Sequence, residues 1–85
     1  MSWMLKFFAA TKKDAIAEVN RYQEKYPLHM NEFARESLVS AIWALPDRPL
    51  LVDAAGSSNE DRGVVRINLE TVDAAPSSAT ETKNL

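Results

Sequence analysis

Between Trp3 and Ala10 the chain alternates with a period of two. Trp3, Leu5, Phe7 and Ala9 fall on one face, and Met4, Lys6, Phe8 and Ala10 on the other. Period two with aromatic content predicts a strand. Its second face carries Met4 and Phe8 where a solvated face would be more polar, so this face is expected to be covered. Thr11 then reads as a helix N-cap with Asp14 three residues on, an acidic variant of the capping box in which hydroxyl and carboxylate satisfy free backbone donors. Ala15, Ile16, Val19, Tyr22 and Tyr26 recur at three- and four-residue spacing and give one apolar stripe against Glu18, Arg21 and Lys25. Pro27 closes this first helix.

A second helix is predicted to begin between His29 and Asn31, with either residue as the cap and the stripe Met30, Phe33, Ala34, Leu38, Ala41, Ile42 and Leu45. Pro46 and Pro49 end it, because neither can continue a helix. Leu50 to Ala54 is an apolar run of strand length, and Val64 to Val72 alternates, with Val65, Ile67, Leu69 and Thr71 inward and Arg66, Asn68 and Glu70 outward. Between them lies the loop within "DAAGSSNEDRGVV", bounded by the chain's two glycines, Gly56 and Gly63. Glycine reaches positive φ without steric cost, so this pair predicts a hairpin with a long tip.

The order β-α-α-β-β predicts an α+β fold: a two-layer sandwich of a three-stranded antiparallel sheet with two helices on one face. The last strand is the longest and most regular and is therefore expected in the middle. Residues 1–72 form the single domain. Residues 73–85, "DAAPSSATETKNL", have too few large apolar side chains for a core and read as a disordered tail.

Composition narrows the options. A folding unit of roughly seventy residues lies near the lower limit for an unstapled core, and with no cysteine in the 85 residues both disulfides and thiolate metal sites are excluded. The chain must rely on burial, worth about 25 cal/mol per Å², or on burial plus self-association. A homodimer is expected. Ten basic residues stand against twelve acidic ones with the signs interspersed, which argues against a broad phosphate-binding surface and so against nucleic acid. The start, "MSWMLKFFAATKKDA", has a short apolar run broken by Lys6 and reads as neither a signal peptide nor a membrane span. The expected location is cytoplasmic, with no membrane association.

Candidate chemistry is sparse. The element order is also that of a winged helix without its first helix, in which the 56–63 loop is the wing and the second helix enters the major groove. The exposed positions of that helix, Asn31, Glu32, Arg35, Glu36 and Ser40, set two carboxylates against one guanidinium. The proposed wing sets Glu60 and Asp61 against Arg62, so cationic contacts would have to come from Lys12, Lys13, Arg35, Arg62 and Arg66 together. A phosphate cradle at "GSSN" lacks the lysine and the following helix of a P-loop. His29, the one histidine, could be drawn into a triad with Ser57 or Ser58 and Asp53, but nothing in the spacing brings them together. Asp53, Glu60 and Asp61 lack the ligand spacing of a calcium loop. No catalytic, cofactor or metal site is assigned, and the chain is expected not to be an enzyme.

Surplus apolar residues are the stronger signal. Trp43 falls off the stripe of the second helix, with Val39 one turn before it, and Met4 and Phe8 lie on the outer face of the first strand. These four make two candidate contact patches, and the expected partner interface includes one or the other, since tryptophan, methionine and phenylalanine are enriched in interface cores. Ser57, Ser58, Asn59 and Arg62 are possible loop contacts.

The stretches "KFFAATKKDAIAEV", "ESLVSAIWALP" and "LLVDAAGSSN … VVRINLE" resemble small proteins encoded by tailed phages and prophages, over about the first seventy residues. The shared features are an A-x-T-K-x-x-A start, an A-L-P helix end and a hairpin with small residues. The resemblance brings no catalytic motif and no residue roles. It implies an accessory protein of phage origin that acts by binding a host or phage protein.

Overall fold

Local capping sets both helices. In a computed structural model, which describes residues 1–59 and 61–73, the elements are β1 (Ser2–Ala9), α1 (Lys12–Lys25), α2 (Glu32–Trp43), β2 (Leu50–Ser57) and β3 (Arg66–Thr71). The Thr11 hydroxyl accepts from the Asp14 backbone N–H at 3.1 Å, and Asn31 Oδ1 accepts from Ala34 N–H at 2.8 Å. Each cap satisfies a donor that the helix start leaves free. Asn31→Ala is expected to destabilise the domain by about 1 kcal/mol. A thermal melt would read this as a fall in midpoint of about 4–8 °C.

The helices form an antiparallel hairpin. Lys12 Nζ, at the start of α1, donates to the carbonyls of Leu45 at 2.9 Å and Trp43 at 3.3 Å, just where α2 ends. An ammonium at those carbonyls satisfies free acceptors and opposes the helix dipole. Nearer the start of α2, Arg35 Nη1 donates to Asn20 Oδ1 at 3.1 Å. Between these ties, Ala15 and Val19 of α1 and Ala34, Leu38 and Ile42 of α2 are buried.

The sheet is antiparallel throughout, in the order β1-β2-β3. The expectation that the last strand would be central is therefore corrected. A central strand is marked by burial rather than by length: Leu50, Val52 and Ala54 of β2 are fully enclosed, while Ile67 and Leu69 of β3 are half-buried at an edge. Leu50, Val52 and Ala54 join Trp3, Ala9, Met30 and the buried helix residues in one core.

Three local expectations also change. Gly56 is not a loop boundary, because β2 runs on to Ser57 and pairs Gly56 with Trp3. Val64 and Val65 precede β3, and Val65 is 65% exposed rather than inward, although its N–H still donates to the Ala55 carbonyl at 2.8 Å. Phe33 is 63% exposed. The buried line of α2 runs Ala34, Leu38, Ile42, and a residue one position before it is rotated by about 100° out of the interface. The tail expected beyond Asp73 lies outside the described residues.

Gly63 is the position where a turn does require glycine, with φ of +76°. Its carbonyl accepts from the Trp3 indole N–H at 2.9 Å, a buried bond that ties the start of the chain to the β2–β3 loop.

Candidate interaction surface

The helices cover one side of the sheet, and the strand registers assign the residues of the other. Met4 lies beside Ala55 and Arg66, Lys6 beside Asp53 and Asn68, and Phe8 beside Leu51 and Glu70. Met4 is 65% exposed, Leu51 is more than a third exposed and Phe8 is half-buried. Cross-strand neighbours on one face stand within contact range, so Phe8 and Leu51 make one apolar unit and Met4 a second across the charged middle row. An open groove of about 330 Å³ runs over Lys6, Phe8, Leu51, Asp53, Asn68 and Glu70. Arg66 Nη2 donates to Asp53 Oδ1 at 2.8 Å. Two cations, Lys6 and Arg66, thus face two carboxylates, Asp53 and Glu70, and the surface carries no net charge.

Met4 and Phe8 are therefore where the alternation put them. Val39 and Trp43 divide. Val39 is half-buried and packs against the core, whereas Trp43 is 55% exposed with Lys12 Nζ 5.0 Å from its ring centroid. That distance is within cation–π range, and the ammonium is held there by the carbonyls it caps. Trp43 belongs to the helix layer, so it and the outer sheet face are separate patches. Phe33, on the outward side of α2, adds a second exposed ring to that layer.

The loop residues are partly consumed by structure. Ser57 Oγ accepts from Asn59 N–H at 3.1 Å, and Ser58 Oγ accepts from the terminal amine of Met1 at 2.9 Å. Ser58 N–H also donates to the Met1 carbonyl at 2.7 Å. Asn59 and Arg62 stay exposed. The residues of the paper triad each hold a different partner: His29 Nδ1–H donates to the Ser2 carbonyl at 3.2 Å, Asp53 accepts from Arg66, and both serines close the loop. Among the described residues no polar or charged side chain is buried, and no three of His, Cys, Asp and Glu group so as to hold a metal ion.

On α2, Arg35 is engaged by its own helix. Its guanidinium pairs with Glu32, with Nε donating at 3.0 Å, and lies 3.8 Å from Glu36. The hydrogen bond to Arg35 lowers the Glu32 pKa from its ordinary value, and the same bond raises that of Arg35. A guanidinium so neutralised offers little to a phosphate. Among the described residues no helix is long and apolar enough to cross a membrane.

Sequence reasoning passed over Leu51, although two adjacent leucines at the start of an alternating strand must put one on each face. It considered Lys12 only as a nucleic-acid contact, since its role as a cap depends on where α2 ends and has no local signature.

No family model matches the sequence, and no curated protein and no solved structure matches it.

Proposed function

We propose that this chain is a non-enzymatic protein-binding domain that docks a protein partner on the outer face of its sheet. In the cell it would be a small cytoplasmic accessory protein of phage or prophage origin, acting on a host or phage protein. The observation that carries this reading is that Met4, Phe8 and Leu51 lie on a sheet face over which no element packs among the described residues. Each such side chain gains about 1.5–3 kcal/mol when fully removed from water. The interspersed Lys6, Asp53, Arg66 and Glu70 give that surface a polar, orientation-setting component of no net charge.

The test is comparative capture. Immobilised wild type, Phe8→Glu and Trp43→Ala are exposed to host and phage-infected lysates, and the affinity of any captured protein is then measured directly. A carboxylate in the apolar unit is expected to weaken that protein's binding by about 30-fold or more, while Trp43→Ala leaves it within about twofold. Equal binding by wild type and Phe8→Glu would refute the surface. The nucleic-acid alternative predicts retardation of duplex DNA at low salt, abolished by added salt. With Arg35 held by Glu32 and Glu36, none is expected.

A further inference from the structure

The edge of β1, which no strand pairs with among the described residues, is a second adhesive feature, and the hydrogen-bond pattern identifies which backbone groups it presents. Ser58 N–H donates to the Met1 carbonyl, so the pair next to Ser2 and Ser57 in the register is a hydrogen-bonded one. Such pairs alternate along an antiparallel ladder. Trp3, Leu5, Phe7 and Ala9 therefore bond to β2, and Ser2, Met4, Lys6 and Phe8 turn their N–H and C=O groups away from it. The approach of His29 to the Ser2 carbonyl from outside the sheet agrees with this assignment. Among the described residues, His29 is the one side chain that hydrogen-bonds to this edge.

We propose that β1 pairs antiparallel with β1 of a second copy, joining two sheets into one of six strands. This goes beyond the sheet-face reading above: the site is the strand edge, and the partner is a second copy of the chain. Natural edge strands are protected by charge, proline, bulges or shortness. β3 fits that description, with Arg66, Asn68 and Glu70 on its outer face, whereas β1 is an eight-residue strand without proline or glycine and with Lys6 as its single charge.

Self-pairing also has a preferred register. A two-fold axis at Lys6 would oppose two ammonium groups, which is destabilising. An axis at Leu5 sets Lys6 opposite the partner's Met4, so the bonding pairs link Met4 with Lys6. On the helix side it sets Leu5 against Leu5 and Phe7 against Trp3. Leu5 and Phe7 are half-buried despite pointing toward the core, and among the described residues no strand lies beyond them. His29, its ring 5.6 Å from that of Tyr26, already bonds the Ser2 carbonyl at this edge, so the bonding pairs of the joint are those of Met4 with Lys6.

The experiment is sedimentation at high micromolar concentration. Wild type is expected to run at about twice the 9.5 kDa chain mass, and Lys6→Ala likewise. Lys6→Pro removes an N–H that β2 does not use and is expected to be monomeric. A wild-type monomer overturns the proposal, as does a folded Lys6→Pro dimer. Should Lys6→Pro fail to fold, cysteine pairing decides, since the chain has no cysteine of its own. Opposed residues on the axis lie within disulfide reach, so Leu5→Cys should cross-link under mild oxidation and Phe7→Cys should not. The reverse result refutes this pairing. Loss of the dimer in Phe8→Glu with its retention in Lys6→Pro would assign self-association to face-to-face stacking and also overturn the edge. Conversely, a monomeric Lys6→Pro that still captures the partner lost by Phe8→Glu supports both proposals, and one that captures nothing while wild type dimerises supports the edge alone.

Discussion

Gly56→Ala is expected to destabilise the domain by about 3 kcal/mol, a larger effect than any surface substitution. Gly56 lies in a regular strand and does not have positive φ, so its backbone conformation alone would tolerate alanine. Space is the obstacle. A Cβ there would sit 1.9 Å from the Gly63 carbonyl oxygen and 2.4 Å from the Trp3 indole. The carbonyl is backbone and the ring is enclosed, so neither can swing aside as a flexible side-chain tip could. Relief requires the loop to lift, and lifting it breaks the indole–carbonyl hydrogen bond. Overpacking costs about 1–3 kcal/mol and an abandoned buried acceptor about as much again. In this size range the midpoint should fall by about 15 °C. A melt of Gly56→Ala within a degree or two of wild type would show that the loop does not seal the sheet as described.

Trp3→Ala should cost about 3–5 kcal/mol, because a 3%-exposed indole is removed from the end of the core. The comparison with Trp3→Phe separates two contributions. Phenylalanine keeps much of the apolar area but supplies no donor to Gly63, so its cost should be about 1–2 kcal/mol, the penalty of an unsatisfied buried carbonyl. Urea titrations of both variants measure the two values, and equality of Trp3→Phe with wild type would remove the hydrogen bond from the account. Because Trp3 and Gly56 share one contact, Gly56→Ala should cost less in the Trp3→Ala background than in wild type. The carbonyl clash stays when the ring is gone, so the cost should not vanish.

What could be read from sequence followed the range of each interaction. Thr11 and Asn31 act on backbone donors within three residues; the first cap lies where residue type and spacing put it, and the structure selects Asn31 over His29 for the second. The outward placement of Met4 and Phe8 follows from period two alone. Strand order was illegible for the opposite reason. It depends on which strand both neighbours can bury, and the regular alternation of β3 marks an edge with one wet face just as readily as a centre. Phe33 was misplaced by a single position on the helical wheel, since a phenylalanine beside a buried alanine is assigned inward by hydropathy while geometry turns it out. The two glycines were read as a pair of turn residues, and only Gly63 is one. Their division of labour, one providing a backbone angle and the other an empty volume for Trp3, depends on contacts spanning most of the chain.

The pairing of Ser2 with Ser57 has a consequence for synthesis. The first strand leaves the ribosome well before the strand that completes it, and both helices are made in the interval. Throughout that time Met4, Phe8 and every ladder group of β1 stand open to solvent and to neighbouring nascent chains. Contacts that close so long a loop form late, so the interval before β2 emerges is when this chain is most exposed to misassociation and most dependent on chaperones.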